Sequence, residues 1–170
     1  MVLRLELHEQ RLDQDTLRRC DELAMAARPD HRLVCWQGAA PAQWVTSFGR
    51  VMGHVLDAPG GGSFTIGRGR RCHGHHGGVV GRWVAEQHDT AVLPEHRGGG
   101  LARWMKARQT LRLHELFPTV ESVTVTVNQQ DAPMLAVNRA VGYRLVRERL
   151  LVEVSTHRLK GGPRCGPARG

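Results

Sequence analysis

The residues best placed to do chemistry in this chain lie between positions 86 and 103. Arg97-Gly98-Gly99-Gly100 separates a β-patterned stretch over 84–93 from a helical stretch that begins at Leu101. Consecutive glycines carry no Cβ, so their backbone N–H groups can converge on one point. A helix starting directly after them adds unsatisfied N–H donors and the positive end of its dipole. That order of parts suits a phosphate or a pyrophosphate, and Arg97 contributes a full positive charge with bidentate donors. The plainer reading of the same glycines is a flexible turn. Upstream, Glu86, His88 and Asp89 are titratable side chains that could move a proton. On a strand, Glu86 and His88 share one face and Asp89 takes the other. Each is also an ordinary polar residue for a strand surface.

A second group of reactive side chains is Cys72-His73-Gly74-His75-His76. Cys and His are good zinc ligands. All four potential ligands are crowded together here, and no partner pair stands at the usual spacing, so no metal site is expected. The order of residues gives no Ser-His-Asp or Cys-His arrangement either. The loop at 97–100 is not GxGxxG followed by an acidic residue at dinucleotide spacing, and no GxxxxGK[ST] is present.

The elements that must position these residues can be read from periodicity. Alternation of apolar and polar residues predicts strands over 2–7 and 123–127; 32–36 and 84–93 read as further strands, and 145–154 as one more strand or a bent pair. Spacings of three and four predict helices over 15–27, 42–56 and 101–117. In the last, Leu101, Trp104, Met105, Leu111 and Leu116 form one arc, and Pro118 ends it. Asp131 is placed to cap a short helix with Pro133 in its first turn, and Gly142 stands where a left-handed C-terminal residue belongs. Met134, Val137 and Val141 form that helix's apolar side. Within 58–83, Gly, Arg and His dominate, and only 64–66 and 79–80 are sheet-like.

Composition bounds the remaining choices. With 170 residues, 41% of them hydrophobic, the chain fits one domain with a sizeable core. No apolar run approaches the roughly 20 residues of a membrane helix. The opening MVLRLELHEQ has charges in place of a signal-peptide core, so a cytoplasmic protein without membrane partners is expected. Cys20, Cys35, Cys72 and Cys165 are widely spaced and read as free thiols. The net charge of +8 first suggests nucleic acid. The acid-free segments 68–82 and 156–170 hold Arg68, Arg70, Arg71, Arg82, Arg158, Lys160, Arg164 and Arg169, which account for the whole excess. The rest is neutral, which argues against a nucleic-acid-binding domain.

Val92-Leu93-Pro94-Glu95-His96-Arg97-Gly98-Gly99-Gly100-Leu101-Ala102 resembles the V-x-P-x-x-[RQ]-G-x-G-x-[GA] signature of the GNAT superfamily, the acyl-CoA N-acyltransferases. Asn128 through Tyr143 resembles that family's second motif, a strand, a short helix and a terminal Gly-aromatic pair. The motifs occur in the family's order, and the resemblance spans roughly 84–150. Residues 32–56 loosely resemble the opening strand and helix, and the wording is similar to members with two such domains in tandem. The resemblance implies an α/β (α+β layered) fold, a mixed, mostly antiparallel sheet flanked by helices, with strands in 58–83 missing or irregular. It divides the chain into an extension over 1–31, the domain over 32–154 and a basic tail over 155–170.

It also implies transfer of an acetyl group from acetyl-CoA to the amine of a small molecule or peptide. The pyrophosphate would rest on Gly98, Gly99, Gly100, Leu101, Ala102 and Arg103, beside Arg97. Pantetheine would run along Ala91, Val92 and Leu93, which a bulge would splay from the neighbouring strand. A backbone N–H near Val92 would face the thioester oxygen and stabilise the oxyanion. Glu86, His88 and Asp89 are the candidate bases, with water as an alternative. Asn128 and Asn138 are further CoA contacts, and Tyr143 is expected to pack structurally. Asn138 stands where the family's usual acid is a Tyr. That departure, with the unusual 58–83, leaves a second reading: a non-catalytic CoA-binding or protein-interaction module.

Overall fold

A computed structural model describes residues 2–26, 30–36, 38–57 and 83–152. The CHGHH cluster, both acid-free basic segments, the sheet-like 64–66 and 79–80, and the tail over 155–170 lie outside the described residues. So do Cys72 and Cys165; Cys20 and Cys35 are free thiols.

Four strands, β1 (Val2–Arg11), β2 (Trp83–Glu86), β3 (Val120–Asn128) and β4 (Arg144–Val152), form one mixed sheet in the order β2-β3-β1-β4. β1 runs antiparallel to both neighbours, and β2 runs parallel to β3. The helices are α1 (Gln14–Ala24), α2 (Ala42–Gly53), α3 (Leu101–Leu116) and α4 (Ala132–Ala140). The fold is thus α+β with a mostly antiparallel sheet. Among the described residues, no helix is long and apolar enough to cross a membrane.

The N-terminal strand is not an appendage. β1 occupies an inner position, and α1 packs on α3. A boundary at residue 31 therefore does not hold. The strand extends past Leu7 to Arg11 because its later inward residues are polar and find partners. Gln10 is fully buried, donates to the Val141 carbonyl and accepts from Thr110 Oγ1 at 3.0 Å. His8 Nε2 lies 2.7 Å from Glu6 Oε2. Opposite them on β3, Val123 and Val125 supply the apolar part of the same face. Cys20, Ala24 and Ala107 are small and buried, which lets α1 approach α3 closely. Burial also pushes the Cys20 thiol up from its ordinary pKa. Trp104 Nε1 donates to the Ala24 carbonyl at 3.2 Å and fastens the end of α1.

Three further expectations change. Residues 32–36 form no regular element. The helix over 42–56 ends at Gly53 and continues as a 3-10 turn, His54–Asp57. The strand over 84–93 stops at Glu86, for a reason that defines the site.

Candidate functional site

β2 and β3 separate after a short parallel pairing. The last backbone hydrogen bond between them runs from Gln87 N to the Thr124 carbonyl at 2.8 Å. Among the described residues, none joins 88–93 to β3. The one register shift between the two strands falls earlier, at Trp83/Val84, so a bulge does not sit at the point of divergence. The gap opens into a cleft of about 730 Å³, walled by 88–92, by 125–128 of β3, by the first turn of α3 and by α4. That volume is within the range of small-molecule and cofactor sites.

The glycine loop closes one end. Pro94 fixes the start of a 3-10 turn, Pro94–His96, whose His96 N–H donates to the Leu93 carbonyl at 2.9 Å. Gly98 and Gly100 then take left-handed conformations, with φ of 83° and 80°. An L side chain is strained there, which is why the turn needs glycine at those two positions. Gly100 is also the N-cap of α3 and offers no side chain to its first N–H groups. Both glycines line the cleft together with Leu101, Ala102 and Arg103. The α3 terminus therefore presents unsatisfied donors and its positive dipole end to an open cavity. Arg97 folds back, its Nε donating to the Val92 carbonyl at 2.9 Å, so it locks the turn as well as lining the cleft.

Most of the residues singled out in the sequence meet at this cleft. His88, Asp89, Ala91, Val92 and Asn128 line it with the loop residues. Four do not. Glu86 belongs to the paired end of β2, before the strands part, and faces solvent. Leu93 heads the 3-10 turn and is not part of the cleft lining. Gly99 is exposed between the two left-handed glycines. Asn138 is fully buried on the inner side of α4, with neither side-chain amide atom hydrogen-bonded, and stays outside the cleft wall.

Sequence reasoning missed the cleft floor. Lys106 lines the cavity although it is only 2% exposed. Its Nζ donates to Gln87 Oε1 at 2.7 Å and stands 5.2 Å from the centroid of the Tyr143 ring. The Tyr143 hydroxyl donates to the same Gln87 oxygen at 3.0 Å. Among the described residues, Lys106 has no carboxylate partner. Burial alone lowers its pKa to about 8. Burial likewise raises the Tyr143 hydroxyl well above its ordinary value. The signal that was available is compositional: of 24 Lys and Arg residues only Lys106 and Lys160 are lysine. α4 contributes Pro133, Met134 and Val137 to the wall, and the turn after α2 contributes His54 and Val55.

The charge of the cleft favours an anion. Arg97, Arg103 and Lys106 face two carboxylates, Asp89 and Asp131. Asp131 is already engaged as the α4 cap, accepting from Met134 N at 3.0 Å. The cavity thus combines a cationic, donor-rich end with a wall from 88–92 and an apolar wall from β3 and α4. No family model matches the sequence, and no curated protein or solved structure shows significant similarity to it.

Proposed function

We propose that the chain is an N-acetyltransferase that takes acetyl-CoA into the cleft between 88–92 and β3. The observation that carries the reading is the glycine-led N-terminus of α3, with no side-chain cap, opening onto the cavity between two diverging parallel strands. A diphosphate there would accept from backbone N–H groups at the start of α3 and lie near Arg97 and Arg103. Segment 88–92 has no backbone bond to β3, so apart from the Val92 carbonyl, which accepts from Arg97 Nε, its backbone groups are open to pairing with the two amide groups of pantetheine. The thioester would then lie deeper, with a backbone N–H near Val92 directed at its oxygen. Holding amine and thioester in one cavity supplies much of the rate. His88 and Asp89 are the bases this reading keeps, because both line the cleft whereas Glu86 does not.

The reading is supported by residues that fit the ligand independently of family resemblance: donors without a cap, a cationic end and a cavity of suitable size. The experiment is release of free thiol from acetyl-CoA by the purified chain, across a panel of polyamines, small primary amines and N-terminal peptides. Release with at least one amine is expected. The buried Asn138, at the position of the family's usual Tyr, favours a second reading, a module that binds CoA without turnover. Saturable acetyl-CoA binding with no thiol release across the panel is the outcome that distinguishes it.

A further inference from the structure

The geometry points to Lys106 as the proton donor to the departing CoA sulfur, an assignment that rests on the CoA reading of the cleft. Three observations meet at this side chain. It belongs to the cavity floor, one helical turn beyond the Leu101–Ala102 step that lines the pyrophosphate end. It is buried without a carboxylate, and its one hydrogen bond among the described residues is to the neutral Gln87. Its three N–H donors thus leave capacity directed to no anion among the described residues. A buried ammonium lacking a counter-charge is costly, and proteins keep one where an anion arrives in function.

The residue type matters as much as its place. This chain uses arginine at 22 of its 24 Lys and Arg positions, yet the buried cation is a lysine. A guanidinium stays protonated throughout the working range, whereas a desolvated ammonium can release its proton. With a pKa of about 8, Lys106 is close to an ordinary thiol at about 8.5, so the proton can pass to sulfur at little cost. Tyr143 does not line the cleft; its hydroxyl donates to Gln87, and burial makes it a weaker acid than Lys106.

The step balances. The acceptor amine, having lost a proton to solvent, to His88 or to Asp89, attacks the thioester carbonyl and forms the C–N bond. The C–S bond breaks, and its electron pair goes to sulfur. Lys106 changes from ammonium to amine as the sulfur becomes a thiol, and water later restores the lysine proton. The other titratable groups lining the cleft are His54, His88, Asp89, His96 and Asp131, with Arg97 and Arg103 as its fixed charges. None of them contributes to the Lys106 shift, which comes from desolvation alone.

Two lysines in the chain make the test direct. The intact protein, labelled with ¹⁵N at the lysine side chains, gives two ammonium signals, and Lys160 serves as the internal reference. Lys106 is titrated alone, with CoA, and with desulfo-CoA, which keeps every group except the sulfur. CoA is expected to move the Lys106 titration by on the order of one pH unit relative to desulfo-CoA, as an opposite charge at contact distance does. Equal titrations with both ligands bound would overturn the assignment while leaving the CoA reading intact. If calorimetry shows that neither ligand binds, the CoA reading falls and this assignment falls with it.

Discussion

Gln87 Oε1 accepts from two buried donors at once, Lys106 Nζ at 2.7 Å and the Tyr143 hydroxyl at 3.0 Å. One amide oxygen thereby ties the end of β2, the middle of α3 and the start of β4. Gln87 is also the last residue paired with β3, so the point where the strands part is the point held from beneath. Replacing Gln87 by Leu leaves both donors without their acceptor. Each unsatisfied buried donor costs about 1–3 kcal/mol, so for the two a loss of about 2–6 kcal/mol is expected in urea unfolding at pH 7. An unchanged midpoint would show that the pair does not depend on Gln87.

Lys106→Met should change how stability depends on pH. The folded pKa of Lys106 is lowered to about 8, against 10.5 for the unfolded chain. Between those values the unfolded state binds more protons, so this group's contribution rises with pH. Below pH 8 the burial penalty is fully present, with an upper limit of about 3 kcal/mol. Cys20 and Tyr143 act in the opposite direction at high pH, because burial raises both above their ordinary values. The informative quantity is therefore the difference between the two proteins. The variant should be the more stable below pH 8, and its advantage should shrink toward pH 10. A pH-independent difference would contradict a desolvated ammonium at this site.

The turn after α4 depends on one glycine. Gly142 has φ of 100°, and an added Cβ would lie 3.4 Å from Thr16 Cγ2. Gly142→Ala should cost about 1–2 kcal/mol from backbone strain, before any adjustment at Thr16. Thermal unfolding of the purified variant measures it, and no change in midpoint would mean the turn can adopt another conformation.

Asp13 caps α1 by accepting from Thr16 N at 2.9 Å. That backbone bond, reinforced by the Thr16 hydroxyl, holds its carboxyl below the usual range. A depressed carboxylate contributes above its unfolded pKa and loses that contribution as pH falls through the folded one. Asp13→Ala should therefore cost about 1 kcal/mol at pH 7 and progressively less toward pH 3. Asp13→Asn, which keeps the acceptor without the titration, should narrow the loss at pH 7. Equal unfolding midpoints for all three proteins at pH 7 would show that the cap contributes nothing.

The parts that sequence made legible are those where local chemistry and tertiary packing agree. Val123, Val125 and Val127 alternate because β3 is buried on that face, and Asp131, Pro133 and Gly142 mark both ends of α4. The glycine loop was readable because positive φ demands glycine at 98 and 100. α3 was misread: its most buried side is Lys106, Ala107 and Thr110, while Leu116 is 45% exposed. Apolar spacing cannot reveal a buried face built from a lysine and a threonine whose partners come from distant strands. The same holds for β1, where Gln10 looks like a surface residue until Thr110 and Val141 are brought to it. The strand over 84–93 was read too long because its sequence says nothing of β3 turning away after Thr124.

The cleft as a CoA site is tested most directly by calorimetric titration of the intact chain with acetyl-CoA. One site per chain is expected, with a dissociation constant on the order of micromolar that weakens as salt rises, since fixed charges and helix N–H groups would meet a diphosphate. Gly100→Glu, which puts a carboxylate at the α3 terminus, should abolish the heat, whereas Glu86→Gln, at the exposed end of β2, should leave it unchanged. Absence of binding by the wild-type chain at millimolar acetyl-CoA would show that the cleft is not a CoA site.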